Sequence, residues 1–415
     1  MEYIRTNGMI DIDDAIKKGL IKYSEKEVHG ARTNKFWFND YTWLYKDVDN
    51  DYGTYEEYAE VICYELAQVL NFHCAEYHLA THNGRKGVIS KSVLNENEEL
   101  IHGTQILTEI FEDYFILKMK LYKSYKELLE YYDISNYEGY LLLEEQEQQL
   151  FKKTLALLYN RSCTSIDDYI KDIDEITVEN LFDYCDILED AFPSNFIEMK
   201  NGIIMSNNLY DIWAAIEIYC KINGYTVDMP EFMSNLTDMF IFDLITNQGD
   251  RHADNWGIIR DKETKTIKLS PLYDNSGALA LNREKAIINI DDFSKRLKVE
   301  SKPGKRKGIM NQMKKTIEHT FSGVKIDQED VEARRRNQEL IDKYISESSY
   351  EFTDKLEYII SLINLDTLEK VFSEIERKTG VQVPEQVINV VTEVITFNIN
   401  KIYERIELMK GGIKI

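Results

Sequence analysis

The strongest constraint on the fold is a change of hydrophobic period part-way along the chain. Before about residue 105, apolar residues come in short aromatic and β-branched runs separated by Asn, Asp and Gly. Beyond it they recur at helical spacing over long stretches. The five prolines stand at 193, 230, 271, 303 and 384, so long helices are little interrupted. The expected architecture is therefore α+β: a small strand-rich part, residues 1–95, and a larger, mainly helical part, residues 96–415.

Within the first part, 35–38 and 41–46 flank the turn signal Asn39-Asp40 and predict a hairpin. Thr54 stands three residues before Glu57 and predicts a capped helix running to Leu70. Strands at 75–80 and 87–94 flank Asn83-Gly84. Helical patterns follow at 106–120, 124–132, 144–160, 209–222 and 230–246, and again from about 327 to 410.

At 415 residues there is chain enough for two lobes, and 43% hydrophobic with 30% charged residues marks a globular protein. No run of eighteen apolar residues predicts a membrane span. The start, MEYIRTNGMIDIDD, lacks the regions of a signal peptide. Five scattered cysteines without CxxC spacing read as free thiols in a reducing compartment, and no zinc site is expected. A cytoplasmic protein is expected, or an effector exported without a signal of that kind. The net charge of −23 disfavours direct nucleic-acid binding. The basic stretch 295–315 stands out against it, read as a solvated loop or as a holder of an acidic or phosphorylated substrate.

A polar loop, NQGDRHADNWG at 247–257, begins where the helical pattern 230–246 stops. Short strands at 256–259 and 266–269 follow, and then Pro271-Leu272-Tyr273-Asp274-Asn275-Ser276-Gly277. Asp and Asn cluster in turns because their side chains bond local backbone, and that is the bland reading. Arg251 reads as a tie to a carboxylate of the same loop. A transition-metal pair His252/Asp254 has no second histidine nearby. The chemical reading is phosphoryl transfer. Asp250 orients an attacking hydroxyl and accepts its proton, while Asn255 and Asp274 offer oxygen ligands to Mg²⁺. Such chemistry also needs a strand lysine for nucleotide phosphates and a helix glutamate to hold it. Lys46 ends the second strand and Glu60 lies in the following helix. Taken alone, a strand lysine and a helix glutamate are usually solvated surface residues.

These stretches resemble the HipA-like kinases, bacterial toxin serine/threonine kinases and their relatives, including the shorter CtkA-like proteins. The resemblance is carried by Gly30-Ala31-Arg32-Thr33-Asn34-Lys35, Trp43 to Lys46, Ala59-Glu60 with Leu66-Ala67, Asn247 to Asn255, and Leu269 to Asp274. It implies a two-lobed protein-kinase-like fold, an ATP- and Mg²⁺-dependent enzyme and a protein acceptor with a Ser or Thr hydroxyl. By resemblance Asp250 is the catalytic base, His252 lies near the phosphates, and Asn255 and Asp274 bind Mg²⁺. Lys46 meets the ATP phosphates, supported by Glu60, and Gly30, Ala31, Arg32, Thr33, Asn34 and Lys35 form the covering loop. Ile89, Lys91 and Val93 fall at the adenine hinge. The resemblance also implies an antitoxin-like or regulatory protein partner, since DNA binding through an antitoxin is known in the family.

The chain departs from the pattern by one extra residue between Ala31 and Lys35. It has no clear counterpart of the autophosphorylated loop serine; Ser24 is the nearest. The alternatives are a lipid or small-molecule kinase, since GDRHxxN also resembles the phosphatidylinositol-kinase loop, and a nucleotide-binding regulator without turnover.

Overall fold

A computed structural model describes residues 5–6, 9–28, 35–48, 53–110, 116–166, 178, 181, 196–199, 202–205, 209–322 and 350–410. The chain divides into two compact units. One takes Met1–Leu100, Met229–Ile259 and Leu269–Ile415, the other Ile101–Asp228 and Arg260–Lys268.

The first unit is built on a seven-stranded sheet. Its strands are β1 (Arg5–Thr6), β2 (Met9–Asp11), β3 (Tyr23–Val28), β4 (Lys35–Phe38), β5 (Trp43–Asp47), β6 (Tyr77–His82) and β7 (Arg85–Lys91). Their order across the sheet is β1-β2-β6-β7-β5-β4-β3. Both expected hairpins are present. Asn39, Asp40 and Tyr41 turn the first with φ of 49°, 51° and 67°. Asn83 (φ 52°) and Gly84 (φ 71°) turn the second, the left-handed pair that matches strand twist.

Strand alternation decides what faces what. Tyr45 is buried with Ile10, Ile12, Ala15, Ile21, Phe38, Ala80 and Ile89 in the core under the helix Ile12–Lys17. Lys46, the next residue on β5, takes the opposite face, where the helix Glu56–Leu70 lies. Gly87 permits this geometry: a Cβ there would lie against the Lys46 carbonyl oxygen and 2.8 Å from the Tyr45 hydroxyl.

The Glu60 helix starts one residue later than the sequence predicts. Tyr55, not Thr54, is the N-cap, with no side-chain capping bond, and the Tyr55 amide donates instead to the Leu281 carbonyl (2.8 Å). The start of the helix is thus tied to a carbonyl distant in sequence. The helix ends at Asn71 in the left-handed region.

The rest of the first unit is mainly helical: Met229–Thr246, Glu284–Val299, Pro303–Ser322, Tyr350–Ser361, Leu365–Thr379 and Glu385–Lys410. Leu365–Thr379 packs on the Glu60 helix and Glu385–Lys410 on Met229–Thr246. The basic stretch is therefore not a loop. It is the end of one helix and the start of the next, with Arg306 donating to the carbonyls of Leu297 and Glu300 where they meet. Of the expected helical end 327–410, residues 327–349 lie outside the described residues.

The second unit holds the helices Gly103–Ile110, Ile116–Tyr131, Tyr137–Leu141, Glu145–Ile166 and Leu209–Asn223. Tyr125, Leu128, Leu129, Phe151 and Leu155 form its core. A hairpin, Phe196–Met199 with Gly202–Met205, was not foreseen from the helical pattern. Among the described residues no helix is long and apolar enough to cross a membrane. The architecture is the expected α+β type, a strand-rich N-terminal region before a mostly helical one.

Candidate active site

Three elements far apart in sequence bring charged groups to one point. The Lys46 Nζ lies 2.5 Å from Asp274 Oδ1, 3.2 Å from Ser276 Oγ and 3.4 Å from Glu60 Oε1. Glu60 is 1% exposed, and its second oxygen accepts the Asn275 backbone N–H at 2.7 Å. The helix glutamate therefore holds both the lysine and the backbone beside Asp274. Asp274 has φ of 53°, and its own N–H donates to the Tyr77 hydroxyl at 3.1 Å. The left-handed bend is held from two sides, by Glu60 and by Tyr77.

The electrostatics follow from two carboxylates sharing one ammonium. Burial alone would raise Asp274, but Lys46 outweighs it and holds the carboxyl down at about 2. Burial dominates at Glu60 and pushes its carboxyl up to about 7, despite Lys46. Burial works against the Lys46 charge, yet Glu60 and Asp274 raise its pKa. Lys35, opposite Lys46 in the β4–β5 ladder, also lowers Asp274.

The polar loop begins at Asn247, whose φ of 56° turns the chain out of the helix Met229–Thr246. Gln248 then bridges two loops: its Nε2 donates to the Asp274 carbonyl (3.2 Å) and its Oε1 accepts the Asp250 N–H (3.1 Å). Arg251 is the hub. It grips both oxygens of Asp243 on the preceding helix and donates to the carbonyls of Asn255 (2.8 Å) and Tyr273 (2.6 Å) and to Asn275 Oδ1 (2.7 Å). The tie expected for Arg251 is thus to a helix carboxylate, and it reaches the second loop as well. Asn255 Nδ2 donates to the Asp250 carbonyl at 2.7 Å, so the amide oxygen is what remains to offer a ligand. His252 Nδ1 accepts the Asp254 N–H (3.2 Å) and caps the short 3₁₀ turn Ala253–Asn255.

The Asp250 and His252 side chains are 47% and 49% exposed, with 3.9 Å between Oδ1 and Nε2. A half-exposed carboxylate can meet an incoming hydroxyl. Gly277 brings the loops into contact: a Cβ there would fall 2.7 Å from Gln248 Oε1 and 2.8 Å from Asp250 Cβ. Lys46, Glu60 and Asp274 are thus joined directly, and Asp250 and Asn255 through the packed backbone of the two loops.

Of the other expected site residues, Gly30, Ala31, Arg32, Thr33 and Asn34 lie outside the described residues. Ile89 is buried in β7, opposite Tyr45 on one side and His78 on the other. Lys91 closes β7, its N–H donating to the Glu76 carbonyl (3.1 Å), and Val93 follows the strand. Sequence reasoning missed Asp243, Tyr77, Gln248, Asn275 and Ser276. The last three sit inside the motifs already singled out, whereas Asp243 and Tyr77 carry no local signal.

Comparison of sequences points the same way. The serine/threonine-protein kinase CtkA of Helicobacter pylori strain J99 is 26% identical over 114 residues, 25% of this chain and 34% of the relative. This chain is related to the CtkA-like kinases. The matched stretch spans about a third of that relative's length. A crystal structure of the Helicobacter pylori proinflammatory kinase CtkA aligns with 95% of this chain and 97% of its own, at 13% identity and a TM-score of 0.48. The Shewanella oneidensis MR-1 toxin–antitoxin complex of HipA, HipB and operator DNA aligns with 95% of this chain and 72% of its own, at 12% identity and a TM-score of 0.29. No protein-family model matches the chain.

Proposed function

We propose that this chain is an ATP- and Mg²⁺-dependent phosphotransferase, a HipA-like kinase acting on serine or threonine hydroxyls of a protein. The observation that carries the reading is the meeting of Lys46, Glu60 and Asp274, from a strand, a helix and a loop up to 228 residues apart. Charge neutralisation at one point is what phosphoryl transfer asks of a protein. In this reading residues 1–95 supply the covering loop Gly30–Lys35, the lysine, the glutamate and the Ile89–Val93 hinge. Residues 96–415 supply the loops 247–257 and 271–277.

The donor set fits Mg²⁺. Asp274 is held ionised, and the Asn255 amide has its nitrogen committed to the Asp250 carbonyl. Magnesium needs only one or two such oxygens, taking phosphate and water for the rest. When bound, the ion supplies positive charge beside the nucleotide phosphates. Lys46, held by Glu60, presents its ammonium to those phosphates. Asp250 orients the acceptor hydroxyl and takes its proton as the new phosphate ester bond forms and ADP leaves. His252, half-exposed on the same loop, would lie near the phosphates.

A lipid or small-molecule acceptor is the second reading, favoured by the exposed lysines 302, 305 and 307 at the start of the helix Pro303–Ser322. One experiment separates them: radiolabelled ATP and Mg²⁺ with a protein extract and anionic lipid side by side. Label on protein serine or threonine is expected, falling on the order of 10²-fold or more in Asp250→Asn. Label on lipid alone favours the second reading, and equal transfer by the Asp250→Asn variant removes Asp250 from the mechanism.

A further inference from the structure

The Glu60 helix is pinned on both sides of its glutamate by the C-terminal helical segment. Tyr55, five residues before Glu60, donates its hydroxyl to Gln386 Oε1 at 3.1 Å. Glu65, five residues after it, is 5% exposed, and both its oxygens are held by Lys378 Nζ, at 2.7 and 2.9 Å. The same ammonium lies 5.5 Å from the centre of the Tyr64 ring. Lys378 is itself held: Glu374 Oε1 is 3.4 Å away, and Arg377 grips Glu374 at 2.6 and 2.7 Å. The helix Leu365–Thr379 ends at Gly380 (φ 67°), so Lys378 sits in a last turn where a cation is favoured. Beneath these bonds, Leu368, Val371, Phe372 and Ile375 form the buried side of a helix that packs on the Glu60 helix.

Holding Glu60 from within its own helix is not enough. The helix has no side-chain N-cap, and Glu60 must meet Lys46 and the Asn275 N–H together. We propose that Lys378, with Tyr55–Gln386 as its counterpart at the other end, is a positioning residue that fixes the Glu60 helix and thereby the Lys46–Glu60 contact. This inference rests on the kinase reading above. Without Lys378, the buried Glu65 carboxylate loses its cation, and the helix relieves that by shifting toward water.

The test uses the full chain and the variants Lys378→Met, Lys378→Arg and Tyr55→Phe. Hydrogen exchange of residues 56–70 is measured together with kcat, KM for ATP and melting temperature. Lys378→Met is expected to speed exchange in 56–70 by about tenfold and to raise KM for ATP several-fold. Lys378→Arg is expected to restore both. Tyr55→Phe, which loses only a hydroxyl, is expected to move both in the same direction to a smaller extent, and it decides the matter if the Met variant does not fold. Unchanged exchange in 56–70, or faster exchange with an unchanged KM, overturns the inference. A wild-type chain that transfers no phosphate sinks the kinase reading and this inference's nucleotide part together, while exchange still decides whether Lys378 holds the helix.

Discussion

Arg251 does more to hold the candidate site than any residue expected to act in it. Its guanidinium serves four groups: Asp243, two backbone carbonyls and Asn275. Only a planar fork with five N–H donors does this, so a lysine is no substitute. Arg251→Ala strands the buried Asp243 and is expected to cost about 3–5 kcal/mol, read by urea unfolding. Arg251→Lys should lose a large part of that as well, and a loss within experimental error for either variant would remove the hub. Gly277 acts by absence. Gly277→Ala puts a methyl 2.8 Å from Asp250 Cβ, so the polar loop must move. Phosphate transfer is expected to fall at least about tenfold while stability drops by only about 1–3 kcal/mol. Full activity in Gly277→Ala would mean that the placement of Asp250 is not critical. At this scale the sequence showed the acid, amide and cation types in order. It did not show Asp243 or Tyr77, whose roles exist only once the helix and β6 lie beside the loops.

The elements tell a similar story through their ends. The Glu60 helix was expected to be capped by Thr54, yet its first turn is tied to Leu281, over two hundred residues away. The tertiary bond fixes the Tyr55 N–H and the cap falls one residue later than the local signal places it. The basic stretch 295–315 reads from its charge as a solvated loop, yet proline suits the first turn of a helix and a new helix begins at Pro303. The hairpins were more legible, since Asn-Gly and Asn-Asp turns carry their own backbone preference. Gly87 joins element to site. Gly87→Ala drives a methyl against the β5 backbone at Lys46, and a loss of about 1–3 kcal/mol is expected in chemical denaturation. A neutral result would show that β7 can shift without disturbing its neighbour.

For the molecule as a whole, the buried charge cluster makes stability depend on pH in two opposite ways. Asp274, depressed to about 2, contributes stability that is present above its unfolded value near ~3.9 and is lost as pH falls through 2. Glu60, raised to about 7, does the reverse. Its contribution is complete below its unfolded value near ~4.3 and disappears as pH rises through 7. Unfolding free energy, measured with a chelator present, is therefore expected to decline from about pH 4.5 to 8 more steeply in the wild type than in Glu60→Gln. Parallel curves would show that Glu60 does not titrate in that window.

What the sequence determined by itself was local: hydrophobic period, turn chemistry and the clustering of oxygen-bearing side chains in two loops. Those depend on a few neighbouring residues, so they can be read along the chain. What only the tertiary structure decided was which of these groups meet. Lys46 shares its proton-rich end with Glu60 and Asp274, Arg251 fastens one loop to the other, and a C-terminal helix grips the glutamate's helix. Each such contact joins residues widely separated in sequence, and the backbone has to be folded before burial can turn proximity into a shifted charge or a fixed geometry.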